Sequence, residues 1–468
     1  MSSTAIRQSV NRLWDESIIQ ALSDFIRIPA KSPHFDANWA ENGHLDAAIA
    51  LAEDWCRRHA PADATIEVVR LPGRTPLLLV DIPGEAPGGV LLYGHLDKQP
   101  EVSGWDADKG PWQPVIQDDK LYGRGSVDDG YAMFSSLAAV LALREQGLPH
   151  ARCTLLIETC EESGSYDLPH YIDALAERLG EPDLVICLDS GCGNYEQLWC
   201  TTSLRGVAAG TLSVDVLSAG VHSGDAGGVI PSSFRIARQL LERLEDSATG
   251  QVLPDSFNAE IPETRRQQAA HAADVLGDIL FQRFPRVSGL RPDVDSNAEL
   301  VLNRTWRPAL EVVGAGGLPA PADAGNVLRA GTTLKLSLRL PPTVDATAAT
   351  EALTALLTDD APNGARVHFE PDQASDGWHA PDFAPWLEQA LDEASREHFG
   401  KPAVHMGEGG AIPFMDLLAE TFPKAQFVVT GALGPGANAH GPNEFLHLPM
   451  ARKVTACMAE VLRAHAEA

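Results

Sequence analysis

At 468 residues, with 44% hydrophobic and 21% charged residues, the chain is long enough for two cores and has the composition of a folded rather than a disordered protein. Its 64 acidic residues against 36 basic ones leave a net charge of −28, which argues against nucleic acid or an anionic membrane as partner and suits the capture of cations. Residues 1–7 lead into polar sequence without an apolar signal core and no later run is long enough to span a bilayer, so a cytoplasmic protein is expected.

In chain order, apolar residues at Ile18, Ile19, Leu22, Phe25 and Ile26 predict an amphipathic helix over 16–28, stopped by Pro29. A second helix is expected over 45–59. The apolar runs 77–82 and 89–93 read as strands of one sheet, the second a buried parallel strand closed by Gly94. Ligands collect beyond the carboxyl ends of such strands, and His95 and Asp97 stand there, with Asp97 able to orient the imidazole. A loop over 105–114 follows. The Gly-rich turn 122–130 then leads into a helix over 131–146, closed by Gly147, and places Asp128 just before the helix. A phosphate loop is the competing reading of this turn, but its Lys-Ser/Thr ending is absent. Strand 153–157 runs into Glu161-Glu162, and strand 184–188 runs into Asp189. A solvated acidic turn is the plain alternative for the paired glutamates. Three strand ends thus carry His95, Glu161/Glu162 and Asp189.

After Gly206 the pattern changes to alternation. The stretch 210–217 reads as an antiparallel strand with one face outward, followed by a helix over 232–244, strands over 310–313 and 332–340, a helix over 346–357 and a strand over 365–369. This β-α-β-β-α-β order is ferredoxin-like. Residues 255–296 form an insertion, helical or irregular. From 381 the first domain resumes with a helix over 386–399, the glycines of 407–410, a strand over 426–430 and a loop over 437–444 that holds His440. The expected organisation is a catalytic domain over 1–205 and 379–468, interrupted by an inserted domain over 206–378. The expected fold class is α/β, a mixed sheet with flanking helices, plus an α+β insertion.

His95, Asp128, Glu162, Asp189 and His440 are five nitrogen and oxygen ligands from separate loops, enough for two divalent ions if one carboxylate bridges them. The seven cysteines contain no Cys-x-x-Cys pair and several lie in apolar runs as buried thiols do, so a metal here is held by His and carboxylates. Two ions roughly 3.5–4 Å apart polarise a carbonyl and lower the pKa of a shared water, whose proton Glu161 is placed to take. Such a donor set accepts Zn, Mn and Co alike.

With these motifs in this order, the whole chain resembles the dinuclear zinc hydrolases that include carnosinase, acetylornithine deacetylase, succinyl-diaminopimelate desuccinylase, aminoacylase and glutamate carboxypeptidase. The resemblance implies His95 and Asp189 on one metal, Glu162 and His440 on the other, Asp128 bridging, Glu161 as general base and Asp97 as orienter of His95. It further implies a cis peptide between Asp128 and Asp129. In the insertion, the resemblance gives His222, in Gly220-Val-His-Ser-Gly224, an oxyanion role in the partner subunit's site. Arg339 matches the arginine that holds a substrate carboxylate, Asn326 the family's substrate loop, and Gly409-Gly410 the loop beside that carboxylate. The sequence departs from the family after Asp128, where Asp129-Gly130-Tyr131 contains no Lys. The expected activity is hydrolysis of an amide near a free carboxylate by a dipeptidase or carboxypeptidase. An N-acyl-amino-acid deacylase is the alternative and a non-catalytic binding protein a remote third. The insertion is expected to serve as a lid and to pair two chains as a homodimer, through an edge offered by 210–217.

Overall fold

The computed structural model describes residues 3–468, which form two compact units. The first runs up to Thr201 and takes in Ala380–His405 and Leu417–Ala468; the second comprises Thr202–His379 and Met406–Asp416. The return to the first unit after 378 is therefore interrupted, because 406–416 packs with the second.

The first unit is built on a mixed sheet. Its strands lie in the order Thr65–Val69, Leu77–Ile82, Ala151–Glu158, Ala86–His95, Leu184–Cys187, Gln426–Thr430 and Trp199–Leu204. Ala86–His95 lies parallel to both its neighbours, and Gln426–Thr430 lies parallel to Leu184–Cys187. These central strands carry short buried apolar runs, over 90–93, 184–187 and 427–429, because both faces are covered, and each buried Leu, Val, Ile or Phe side chain contributes roughly 1.5–3 kcal/mol. Helix Gly130–Glu145 is buried on nearly every side and packs on Ala86–His95 and on the C-terminal helix Leu448–Glu467. That last helix and Leu168–Leu179 were not anticipated from the sequence. The helix expected at 16–28 begins at Ser3 and passes through a π-helical turn, Trp14–Ile18, before ending at Ile26. All seven cysteines are buried and free.

The second unit has the expected β-α-β-β-α-β order: Gly206–Asp215, Ser233–Leu241, Ala309–Gly316, Gly331–Leu340, Ala346–Thr358 and Arg366–Ser375. The four strands of its larger sheet are antiparallel, in the order Ala309–Gly316, Gly331–Leu340, Gly206–Asp215, Arg366–Ser375. Gly331–Leu340 alternates strictly, sending Leu334, Leu336, Leu338 and Leu340 into a core shared with Ile236, Leu240, Leu353 and Phe369. The strand expected at 210–217 is Gly206–Asp215, and it is central, paired along both sides. It offers no edge; the edges are Ala309–Gly316 and Arg366–Ser375. The 255–296 insertion contains helices Glu263–Leu276 and Ile279–Gln282. Among the described residues no helix is long and apolar enough to cross a membrane.

Candidate metal centre

His95 is the last residue of its strand and is wholly buried. Its Nδ1 lies 3.1 Å from the Asp97 carbonyl oxygen, so that nitrogen carries the proton and Nε2 presents a lone pair. Nε2 faces Asp128 Oδ1 at 3.4 Å and Asp189 Oδ2 at 3.7 Å but makes no hydrogen bond. A buried acceptor left in this state has the form of a ligand awaiting a cation. The His95 N–H donates to Asp129 Oδ2 at 3.3 Å, a contact that fixes the strand end against the turn carrying Asp128.

Asp128 points one oxygen at each imidazole, since its Oδ2 lies 2.9 Å from His440 Nε2. Glu162 Oε2 lies 3.3 Å from the same nitrogen and accepts from Gln99 Nε2 at 2.6 Å. Two sets of potential ligands result, His95–Asp128–Asp189 and Asp128–Glu162–His440. Within each set the ligand atoms lie within 4.8 Å of one another, and Asp128 belongs to both. Glu161 belongs to neither set, yet its Oε2 is only 4.0 Å from His95 Nε2. The peptide joining Asp128 to Asp129 is cis. Asp97 Oδ1 lies 3.4 Å from His95 Nδ1, and the same carboxylate has a further use: it accepts the N–H groups of Glu161 at 3.1 Å and Glu162 at 3.0 Å and so pins the turn bearing both glutamates. The sequence assigns no role to the side chains of Gln99 and Asp129. The only signal was their nearness to the ligands in the chain.

The electrostatics ask for positive charge. Burial pushes Glu161 and Glu162 well above the ordinary carboxylate range, and neighbouring carboxylates push them further. Burial and then the charge of Asp128 raise Asp189 to about 6. Asp128 alone moves the other way: burial raises it, but His440 and His95 outweigh burial and hold it low. Four carboxylates crowded around two imidazoles are short of countercharge, and two dications would supply it. The donor set of imidazole and carboxylate suits zinc, manganese or cobalt.

The remaining predicted residues lie in the second unit. His222 is exposed, on a short strand whose residues pair with Val327 and Leu328. Its Nδ1 accepts the Gly224 N–H at 3.1 Å, which leaves Nε2–H as a free-facing donor. Asn326 is brought beside this loop, its carbonyl accepting the Ser223 N–H at 2.9 Å. Arg339 sits near the end of Gly331–Leu340. Gly409 and Gly410 follow strand Val404–Glu408; Gly410 is open, while a side chain on Gly409 would meet Arg304 and Arg205 at 3.1–3.2 Å. Arg205, unremarked in the sequence, donates to the carbonyls of Gly409, Asn303 and Arg307 at 3.2–3.3 Å and so tethers the glycine loop. Its signal was a cation between two apolar strands, which is rarely buried without a task.

Residues 91–464 match the family described as peptidase family M20/M25/M40. The chain is 28% identical, over 95% of its length and 93% of the relative's, to the cysteinylglycine-S-conjugate dipeptidase of Corynebacterium striatum. It is 26% identical to the Beta-Ala-His dipeptidase of Homo sapiens, over 92% of this chain and 87% of that one. Among solved structures, the di-peptidase Dug1p of Saccharomyces cerevisiae shares the fold at a TM-score of 0.76 and 22% identity, covering 100% of this chain and 99% of that chain. With the match spanning most of the sequence and the paired ligand sets at its sheet edge, the chain belongs to peptidase family M20/M25/M40, the metal-dependent hydrolases its motifs resemble.

Proposed function

We propose that this metallopeptidase is a dipeptidase, cleaving the amide bond of a dipeptide whose C-terminal carboxylate is free, with Glu161 as general base. The observation that carries the reading is the pair of ligand sets sharing Asp128, with Glu161 beside them and outside both. A pair of divalent ions bound there would supply Lewis acidity and a water acidified towards neutrality. His95 and Asp189 would hold one ion, Glu162 and His440 the other, and Asp128 both. Glu161 accepts the proton of the attacking water at a carboxylate oxygen and returns it to the leaving nitrogen. Its position favours this task, since Glu161 Oε2 lies 4.0 Å from His95 Nε2 while Glu161 is in neither ligand set.

Arg339 is assigned to the substrate carboxylate, since it has no acid partner among the described residues, and Gly409 and Gly410 to the backbone beside it. Asn326 supports the His222 loop. His222 is assigned to the oxyanion, through Nε2–H, in the centre of a second copy of the chain. The pairing edge proposed for that homodimer is Ala309–Gly316, a strand paired on one side only, where Val312 and Val313 are exposed. The names of the relatives favour a dipeptide over an N-acyl amino acid.

The test is an assay of the metal-loaded protein against dipeptides, their C-terminal amides and N-acyl amino acids. Turnover of dipeptides with loss of the amides is expected; faster turnover of N-acyl amino acids would replace the reading with a deacylase.

A further inference from the structure

His440 differs from the other ligands in how it is held. His95 ends a strand paired on both sides, and Asp189 follows another and bridges to Gly431. His440 lies in a loop without regular structure, more than half exposed, at φ 63°, with Asn438 and Asn443 also left-handed. A backbone of this kind needs external fastening to keep an imidazole in place.

The fastening is a buried ion pair. Glu444, four residues on, is fully buried and paired with Arg124, which is 1% exposed. Glu444 Oε1 also accepts the N–H groups of Gly125 at 2.9 Å and Val127 at 3.4 Å, and its carbonyl accepts the Gly123 N–H at 3.0 Å. Arg124 in turn donates to the Gly441 carbonyl at 3.1 Å and the Pro100 carbonyl at 3.2 Å. One guanidinium and one carboxylate thus join three loops: the one leaving His95 and Asp97, the turn arriving at Asp128, and the loop of His440. The turn is closely fitted, as a side chain on Gly125, at φ 80°, would meet Lys98 at 2.7 Å.

We propose that Arg124 and Glu444 are positioning residues that hold His440 against Asp128, so that the cation site formed with Glu162 and His440 depends on them more than the site formed with His95 and Asp189 does. This inference rests on the metal-centre reading above. The selectivity follows from the asymmetry of support: sheet pairing holds His95 and the backbone before Asp189, and the turn of Asp128, which serves both sites and is also tied to the pair, keeps a second tie through the His95 N–H and Asp129 Oδ2, whereas His440 has no sheet to hold it. Lysine cannot replace Arg124, since its single ammonium can face Glu444 but cannot also reach two carbonyls on different loops.

The test is titration of the metal-free protein with Mn(II), following free ion by electron paramagnetic resonance and heat by calorimetry. Wild type, Arg124→Lys, Glu444→Gln and His440→Ala are compared. Arg124→Lys and Glu444→Gln are expected to weaken the second Mn(II) by about 10–100-fold and to leave the first within about threefold of wild type. Parallel weakening of both sites would mean a merely structural role, and two unchanged sites would mean none; either overturns the proposal. If Glu444→Gln does not fold, Arg124→Lys decides. His440→Ala separates this failure from that of the underlying reading, because two intact sites in that variant would remove His440 as a ligand altogether.

Discussion

Asp97 Oδ2 accepts the backbone N–H of Glu162 at 3.0 Å, which makes the residue expected to orient His95 the anchor of the glutamate turn as well. Its Oδ1 does the same for Glu161 and lies 3.4 Å from His95 Nδ1, which also meets the Asp97 carbonyl. Asp97→Asn keeps one accepting oxygen and turns the other into a donor facing an N–H. Turnover should fall by about 10–100-fold with both ions retained, as loss of an outer contact to a ligand typically does. Steady-state kinetics with elemental analysis check this, and a wild-type kcat would show the carboxylate to be idle.

Glu161→Gln should keep both ions and lose turnover by about 10²–10⁴-fold, because an amide cannot accept the proton. His222→Ala should also be nearly inactive. If His222 serves the other copy, mixing the two variants under subunit exchange yields hybrids with one site carrying both defects and one carrying neither, and activity returns. Proven exchange without recovery would place His222 outside the partner's site.

Asp128→Ala should weaken both cation sites together, in contrast to Arg124→Lys, since it removes the only carboxylate common to the two ligand sets. Two ions per chain in the purified variant would end the bridging assignment.

Glu158, the register partner of His95 in the sheet but a member of neither ligand set, provides a pH test. It is 2% exposed, accepts from Tyr93 Oη at 2.6 Å and Ser165 Oγ at 2.9 Å, and has one oxygen without a partner. Burial, then the charge of Asp97, raises it from 4.5 to about 7. The folded state therefore binds this proton more tightly than the unfolded state. The associated stability is fully present below the unfolded pKa and is lost as pH rises through the folded one, a window from about 4.5 to 7. Glu158→Gln keeps the accepting oxygen and removes the titration. It should be more stable than wild type at pH 8 by roughly 1–3 kcal/mol, with a smaller difference at pH 5. Denaturant midpoints at the two pH values measure it, and an equal shift at both would refute the assignment.

Much of the centre could be read from sequence because local order carries it. An unbroken apolar run must be a covered strand, and the polar residues just past Tyr93, Ile157 and Leu188 must then gather at one sheet edge. The alternation of Gly331–Leu340 and the β-α-β-β-α-β order were legible on the same ground, since period two reports which face is buried. It does not report which strands lie alongside, so Gly206–Asp215 was read as offering an edge when it is paired on both sides. The place of 406–416 in the second unit was hidden for a similar reason, as its glycines carry no pattern to assign it. The fastening of His440 depends on Arg124 and Glu444, 320 residues apart. Sequence by itself determined the kinds of ligand and the strands that deliver them, through hydrophobic periodicity. Only the tertiary structure decided which buried charges meet, because a burial cost relieved by a partner distant in the chain leaves no periodic trace.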